Sequence, residues 1–296
     1  MKKFTVYLML LFVAGFVSSC EDVVQVKLDE GSKLYVIDAF INDLPQEQVI
    51  KLSYNDSYFS TTEAPPLSGA VVVVKDLTEG TEYSFNESGA GRYVYTPGPE
   101  GFGALDHQYQ LNVTVNGDVY TSLSLKKRTA VIRAINDTLV TGGGGFGAPP
   151  SEPFYFCSLV AKDTVDAVTD YYWVKTLRND TLLFSAENIG FSFAIDGTNG
   201  PVSDAGADTT NFTPPVTFLG FARFLPGDRC RVQIHSISRE TYFFFVQVGQ
   251  QVNNAGLFAT TPENVRTNIV TPEGAATKAV GWFNVATVDE KEIVLP

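Results

Sequence analysis

Two histidines are the most chemically versatile residues of this chain, and neither lies in a catalytic pattern. His107 follows Asp106 in a predicted turn, and His235 lies in a predicted strand. Neither is accompanied by a nucleophile motif, a metalloprotease helix or a paired-cysteine motif. We therefore predict no catalytic residues and no enzymatic activity. A glycan-active enzyme stays open as an alternative, because a glycosidase needs only two carboxyl groups that folding brings together.

A turn-rich loop offers oxygen ligands that could hold calcium. The candidate ligands are Asp196, Asn199, Asp204 and Asp208. The loop lacks the terminal glutamate of the helix–loop–helix calcium site. Asp and Asn also serve the backbone in turns, and we favour this interpretation. The sequence therefore predicts no metal and no cofactor.

Two cysteines in the second half of the chain could form a disulfide. Cys157 and Cys230 are the only cysteines after Cys20. Outside the cytoplasm a bond between them is plausible, and closing a loop of this length contributes about 4 kcal/mol in the chain-entropy model. The alternative is two separate buried thiols.

Threonine follows aspartate in four short motifs that resemble the triplet glycosylated on exported Bacteroidota proteins. The candidate O-glycosylation sites are Thr138, Thr164, Thr181 and Thr209. A glycan requires that the threonine be exposed. Chance alone accounts for one or two such triplets at this composition.

The start of the chain predicts export and lipidation. A basic start, an apolar stretch from Phe4 to Val17 and small residues before Cys20 are typical of a signal peptide, which we assign to residues 1–19. The stretch is shorter than the about 20 apolar residues of a membrane-spanning helix. Cys20 resembles the lipidated cysteine of a bacterial lipobox, so residues 20–33 are predicted to form a lipidated tether. The alternative is an ordinary signal peptide with a chance cysteine.

Two acidic residues directly after this cysteine indicate on which side of the membrane the protein is displayed. Glu21 and Asp22 resemble the surface-export signal of Bacteroidota lipoproteins. We therefore expect an outer-membrane location, anchored by lipid and facing the cell exterior. The alternative is a polar tether that carries no export signal.

Composition restricts the partners. The chain has a net charge of −12, which argues against nucleic acid because nucleic-acid binding needs clustered Lys and Arg. Its hydrophobic fraction of 44% is enough to build folded cores.

The remaining pattern predicts a mainly all-β fold. Short β-branched and aromatic runs alternate with turn residues, and Asn116-Gly117 indicates a type I′ hairpin. We predict an immunoglobulin-like β-sandwich over residues 34–135 and a Gly/Pro-rich linker or loop over 136–153. A second β-rich domain, a sandwich or open barrel, is predicted over 154–296. It contains a helix near 238–252, with Ser238 as its N-cap.

The order of several motifs carries a resemblance to a known family. The motifs include residues 36–41, Gly91-Arg92-Tyr93, residues 234–238 and Gly281-Trp282-Phe283. Together they resemble the Bacteroidota lipoprotein family catalogued as domain of unknown function 4249. The family typically has a phenylalanine-glycine pair near its end, where this chain has residues 281–283.

The resemblance implies a surface lipoprotein that works beside a TonB-dependent (SusC-like) outer-membrane transporter. The family has no established catalytic residues, so none is assigned here. One alternative is a structural or assembly subunit of an outer-membrane protein complex. The other is the glycan-active enzyme already named, and the sequence does not identify a ligand.

Overall fold

β-Strands dominate the part of the chain that the computed structural model describes. This part comprises residues 32–57, 60, 62–141, 152–164, 170–183, 193–196, 209–211, 223–252 and 265–296. Its strands are β1 Tyr35–Asn42, β2 Gln48–Tyr54, β3 Val71–Asp76, β4 Glu82–Gly89, β5 Arg92–Tyr95, β6 Gln108–Val115, β7 Asp118–Leu125, β8 Val131–Val140, β9 Phe154–Thr164, β10 Tyr171–Arg178, β11 Thr181–Leu182, β12 Phe193–Asp196, β13 Thr209–Asn211, β14 Arg229–Ile237, β15 Ala279–Ala286 and β16 Val288–Val294. The predicted all-β class is confirmed.

Eight strands form one large sheet in the order β15-β1-β2-β5-β4-β3-β6-β7. Its neighbours are antiparallel except β1 and β15, which run parallel with Ile37 opposite Gly281. Asn116 and Gly117 have φ angles of 53° and 93°, as the predicted hairpin turn between β6 and β7 requires.

The two ends of this sheet meet, so the sheet is nearly closed. The Val285 amide of β15 donates to the Ser124 hydroxyl of β7 at 2.8 Å. Thr121 of β7 forms two backbone hydrogen bonds with Val270. The strands of residues 34–135 therefore do not form this sheet alone, because β15, from far along the chain, adds to β1.

The first hydrophobic core lies inside this sheet. Alternate side chains of its strands point inward, including the fully buried rings of Tyr93, Tyr109 and Tyr120. Their hydroxyls have backbone partners: Tyr120 donates to Thr277 O at 2.6 Å, and the Ala70 and Ala104 amides donate to Tyr93 and Tyr109. The tyrosines therefore fill the core without leaving buried polar groups unpaired.

A second core lies between two smaller sheets. One contains β11, β10, β14 and β16, with β12 beside β10, and the other has the order β13-β9-β8. Side chains of β9, such as Leu159, pack with Tyr172 of β10 and Ile234 of β14. Strand β8 continues through residues 136–140, the first part of the predicted linker. Both cores belong to one compact unit, Lys33–Pro296.

One helix, α1 Arg239–Val252, confirms the helix predicted near residues 238–252. The Thr241 amide donates to the Ser238 hydroxyl at 3.1 Å, so Ser238 is the N-cap. No helix in the described ranges is both long and apolar enough to span a membrane.

Candidate ligand cleft beside the helix

The start of α1 forms one wall of an open cleft of about 600 Å³. The cleft is also lined by residues 123–125 of β7 and by Trp282 and Phe283 of β15. A shallower cleft of about 470 Å³ shares Glu240, Asn268 and Trp282 with it. The larger volume is within the range of small-ligand sites.

A buried hydroxyl fixes the helix against β15. Thr241 is 1% exposed, and its Oγ1 accepts a hydrogen bond from Trp282 Nε1 at 2.9 Å. The same hydroxyl donates to Asn284 Oδ1 at 3.1 Å. It also lies 3.1 Å from the Ser238 hydroxyl. The N-cap and the strand therefore share one hydrogen-bond network, which positions the helical wall of the cleft.

The cleft and its neighbour carry an excess of positive charge. Lys127 and Arg239 line the larger cleft, and Arg266 lines the smaller one. Among the described residues, none of these three cations has an acidic group within 4 Å. Glu240 is the acidic residue in both linings. The net charge of the residues that line the two clefts is thus positive, although the whole chain has a net charge of −12.

A second polar cluster lies where the large sheet packs against β10 and β14. Phe40 of β1 contacts the rings of Trp173 and Phe245 at 5.3 Å each. Lys175 places its ammonium 4.0 Å from the centre of the Trp173 ring, and the centre of the His235 ring lies 5.7 Å from the same ring. Trp173 therefore contacts both Lys175 and His235.

Burial shifts the pKa values of this cluster. Burial raises the pKa of Asp38, while the positive charges of Lys51 and Lys175 oppose that rise. The Asp38 side chain nevertheless keeps solvent contact. Burial lowers the pKa of Lys175 to about 8, with Asp38 opposing, and lowers the pKa of His235 well below 6.5. His235 is therefore neutral, and it contacts Gln233 Oε1 at 3.1 Å.

We expect Lys175 to titrate near pH 8, because its ammonium is desolvated when the chain folds. Between about pH 8 and 10.5 the unfolded chain binds a proton there that the folded chain does not, so stability rises with pH across that interval. NMR titration of isotopically methylated lysines measures the midpoint, with the signal assigned by Lys175→Arg. Asp38→Asn should lower the midpoint further. A midpoint at the ordinary lysine value contradicts the burial.

Comparison with known families decides what the chain is related to. The model of a domain of unknown function, DUF4249, matches residues 21–292. The chain belongs to this family. No curated protein is similar to it at a significant level. Two of the motifs that carried the resemblance lie side by side in the structure, because residues 36–41 of β1 pair with residues 280–285 of β15.

In this DUF4249 chain, His107 contacts two acidic side chains at the β3–β4 turn. Its Nδ1 lies 2.7 Å from Asp76 Oδ2, and its Nε2 lies 3.9 Å from Glu79. Asp76 Oδ1 accepts hydrogen bonds from the amides of Thr78 and Glu79. Burial opposes ionisation of Asp76, but the hydrogen bonds from His107 and the two amides lower its pKa. These three side chains are of types that bind metals. The nearest pair, His107 Nδ1 and Asp76 Oδ2, is already hydrogen-bonded, and this bond links the β3–β4 turn to the residue before β6.

The structure brings the two predicted disulfide partners together across the second core. Cys157 of β9 and Cys230 of β14 are buried free thiols. A hydrogen bond to Cys157 and burial raise the pKa of the Cys230 thiol. The disulfide itself stays a prediction.

We expect these thiols to be oxidised in protein recovered from an export compartment, where a disulfide oxidase accepts the two electrons. Iodoacetamide should then label Cys157 and Cys230 in the denatured protein only after reduction. Mass spectrometry of the peptides measures this, with Cys157→Ser as the control in which Cys230 is labelled directly. Labelling of both thiols without reduction would contradict the bond.

The other predicted sites divide between described and undescribed residues. Thr138 and Thr181 are exposed, as glycosylation requires, and the modification stays a prediction. Thr164 and Thr209 lie in β9 and β13, and Asp196 ends β12. The remaining predicted site residues lie outside the described part of the chain: Cys20, Glu21, Asp22, Asn199, Asp204 and Asp208.

Sequence reasoning did not find the cleft. Its walls come from β7, α1 and β15, which are far apart in the chain. The Ser238 N-cap located the start of the helix, but no local pattern indicated which strand the helix would face. The sequence around Arg239 and Leu123 therefore did not indicate that the two residues line the same cleft.

Proposed function

We propose that this chain is an outer-membrane surface lipoprotein that acts as a non-catalytic accessory and binding partner of a TonB-dependent (SusC-like) transporter. The lipidated residue would be Cys20, with Glu21 and Asp22 directing the protein to the cell surface. Two or more acyl chains give stable anchoring, whereas one gives only reversible binding. Membership of the DUF4249 family supports the same function through the resemblance described above.

The open cleft beside α1 is the observation that carries the binding role. It combines exposed leucines of β7 with two cations, Lys127 and Arg239, that lack acidic partners in the described structure, and Arg266 lines the neighbouring cleft. A glycosidase would need two carboxyl groups about 5 to 9 Å apart, and Glu240 is the one acidic side chain in the described lining. The arrangement suits recognition better than hydrolysis.

Anchoring explains how a modest surface could act on a transporter. Lipid confines the protein to the plane of the membrane, which raises its effective concentration near a barrel. The cleft therefore needs only enough affinity to hold a partner that is already nearby.

The test is affinity purification of the native lipoprotein from gently solubilised outer membranes, with mass spectrometry of its companions. Recovery of one TonB-dependent barrel in near-equal amount is the expected result. A matched Cys20→Ala variant, which cannot be lipidated, should leave the membrane fraction and lose the barrel. Recovery of assembly-machine components instead would favour a structural subunit. Recovery of the protein alone would overturn the transporter proposal.

A further inference from the structure

The two clefts beside α1 share lining residues, and an arginine from each lining contacts the same aromatic ring. The guanidinium carbon of Arg239 lies 5.0 Å from the centre of the Phe243 ring, and that of Arg266 lies 6.0 Å from the same centre. Contact between a guanidinium group and an aromatic ring is favourable, and it leaves the positive charge in place. The ring therefore holds two positive charges near each other, one in the lining of each cleft.

Backbone contacts fix the segments that carry both arginines. Arg239 is the first residue of α1, and the N-cap and the buried hydroxyl of the first turn hold the start of this helix on β15. The Arg266 amide donates to Gln247 Oε1 of the same helix at 2.8 Å. The next residue, Thr267, donates its hydroxyl to Gly281 O of β15 at 2.8 Å. The two charges are therefore positioned before a ligand arrives, which lowers the entropic cost of binding.

Little negative charge offsets these groups. Lys127 adds a third cation in the larger cleft, and the start of α1 adds the partial positive charge of a helix N-terminus. Against them stands Glu240, the one acidic residue in the described linings. Because the whole chain has a net charge of −12, its field repels anions in general. The two clefts are therefore a local exception, at which an anion is attracted.

The larger cleft also offers apolar surface to a ligand. Leu123 and Leu125 line it and are 53% and 47% exposed. An inorganic anion would leave these side chains in water, whereas a ligand that also has an apolar group would cover them and gain hydrophobic free energy. The volume of about 600 Å³ is that of a site for a small molecule. Charge and apolar surface together indicate an amphipathic anion.

We propose that the two clefts together bind a small organic anion, in which a carboxylate or phosphate group is joined to an apolar group. Arg239 and Arg266 would bind the acidic group, because guanidinium groups pair with carboxylate and phosphate oxygens through charge-assisted hydrogen bonds. Lys127 would add attraction, and Leu123 and Leu125 would contact the apolar group. That the lipoprotein holds this solute for the barrel rests on the proposed function, whereas the binding chemistry rests on the clefts.

The direct test titrates phenylbutyl phosphate into the full mature chain that carries Cys20→Ala, which needs no detergent. Isothermal titration calorimetry should show saturable binding. Neutral phenylbutanol keeps the apolar group and inorganic phosphate keeps the anion, so each should bind at least about tenfold more weakly than phenylbutyl phosphate. Equally tight binding of phenylbutanol would overturn the anionic assignment, and equally tight binding of inorganic phosphate would overturn the apolar one.

Single arginine variants locate the site. Arg239→Gln and Arg266→Gln each remove one exposed charge, and each should weaken binding of phenylbutyl phosphate at least about fivefold. Arg223→Gln is the matched control, because Arg223 is also exposed and its guanidinium carbon lies 4.6 Å from the centre of the Phe154 ring, but it lines neither cleft. It should leave binding unchanged. Equal losses in all three variants would show that overall charge, and not this site, attracts the anion.

A variant without a change of charge tests the shared ring. Phe243→Leu keeps all three cations but removes the ring that two of them contact. It should weaken binding of phenylbutyl phosphate about threefold, because the guanidinium groups are then less restricted. Urea denaturation of the same sample checks that the variant is folded. Unchanged affinity in the folded variant would contradict the positioning of the two arginines by Phe243.

Vesicle binding and copurification separate the remaining outcomes. The chain that carries Cys20→Ala should not sediment with phosphatidylglycerol vesicles, because the site is sized for a solute. Sedimentation with vesicles, without binding of phenylbutyl phosphate, would overturn the small-molecule assignment in favour of a lipid headgroup. If phenylbutyl phosphate binds as expected but no barrel is recovered with the native lipoprotein, the transporter proposal fails while the anion site stands. If the barrel copurifies but phenylbutyl phosphate does not bind, the reverse holds.

Discussion

Replacing Gly281 by alanine is expected to destabilise the fold by about 3 to 5 kcal/mol, a large part of the stability of a typical domain. Gly281 has a φ of 118°, and a Cβ at this position would lie 2.0 Å from Ile37 O and 2.8 Å from Ile37 N. Both atoms are backbone of β1, so the clash can be relieved only by separating β1 from β15. Urea denaturation of the parent and variant measures the loss.

Gly274→Ala is the matched control for this variant. Gly274 also has a positive φ, of 82°, but a Cβ there meets nothing within 4 Å. It should therefore show backbone strain alone, about 1 to 2 kcal/mol. If Gly281→Ala costs no more than Gly274→Ala, β15 does not pack on β1 as described.

The same glycine shows where sequence reasoning succeeds and where it stops. Residues 154–296 are predicted to be β-rich, and strand β15 is found in this region at Ala279–Ala286. Nothing in that segment indicates a parallel partner near the start of the chain. Alternation reveals which side chains face a core, but pairing between distant strands depends on the whole fold.

Local signals were the reliable ones. The Asn116-Gly117 hairpin and the Ser238-capped helix each depend on neighbouring residues, and both are present. Strand β8 was missed over residues 136–140, because Asn136 and Asp137 are typical of turns. There the long pairing with β9 outweighs local propensity.

The candidate site depends entirely on distant pairing. Leu123 follows the predicted Asn116-Gly117 hairpin turn, but it lines the cleft only because β7, α1 and β15 come together in the fold. The charge of Arg239 likewise contributes to the cleft only because the fold places this residue in the cleft lining. For this reason composition could argue against nucleic acid, yet it could not indicate a local positive surface on an acidic chain.

Replacing Thr241 by valine is expected to cost about 3 to 5 kcal/mol, although the two side chains have nearly the same shape. The buried hydroxyl of Thr241 serves Trp282 Nε1, Asn284 Oδ1 and the Ser238 hydroxyl together. Valine leaves the indole N–H and the amide oxygen buried without this partner, and each such group costs about 1 to 3 kcal/mol. Urea denaturation monitored by tryptophan fluorescence measures the loss.

Thr241→Ser separates the hydroxyl from the methyl group. Serine keeps the three hydrogen bonds and removes one methyl, so its cost should be about 1 kcal/mol. Equal losses for valine and serine would show that packing, and not the hydroxyl, holds α1 on β15. Because Thr241 is the buried residue through which the first turn is fixed, the valine variant should also displace Arg239 from the cleft.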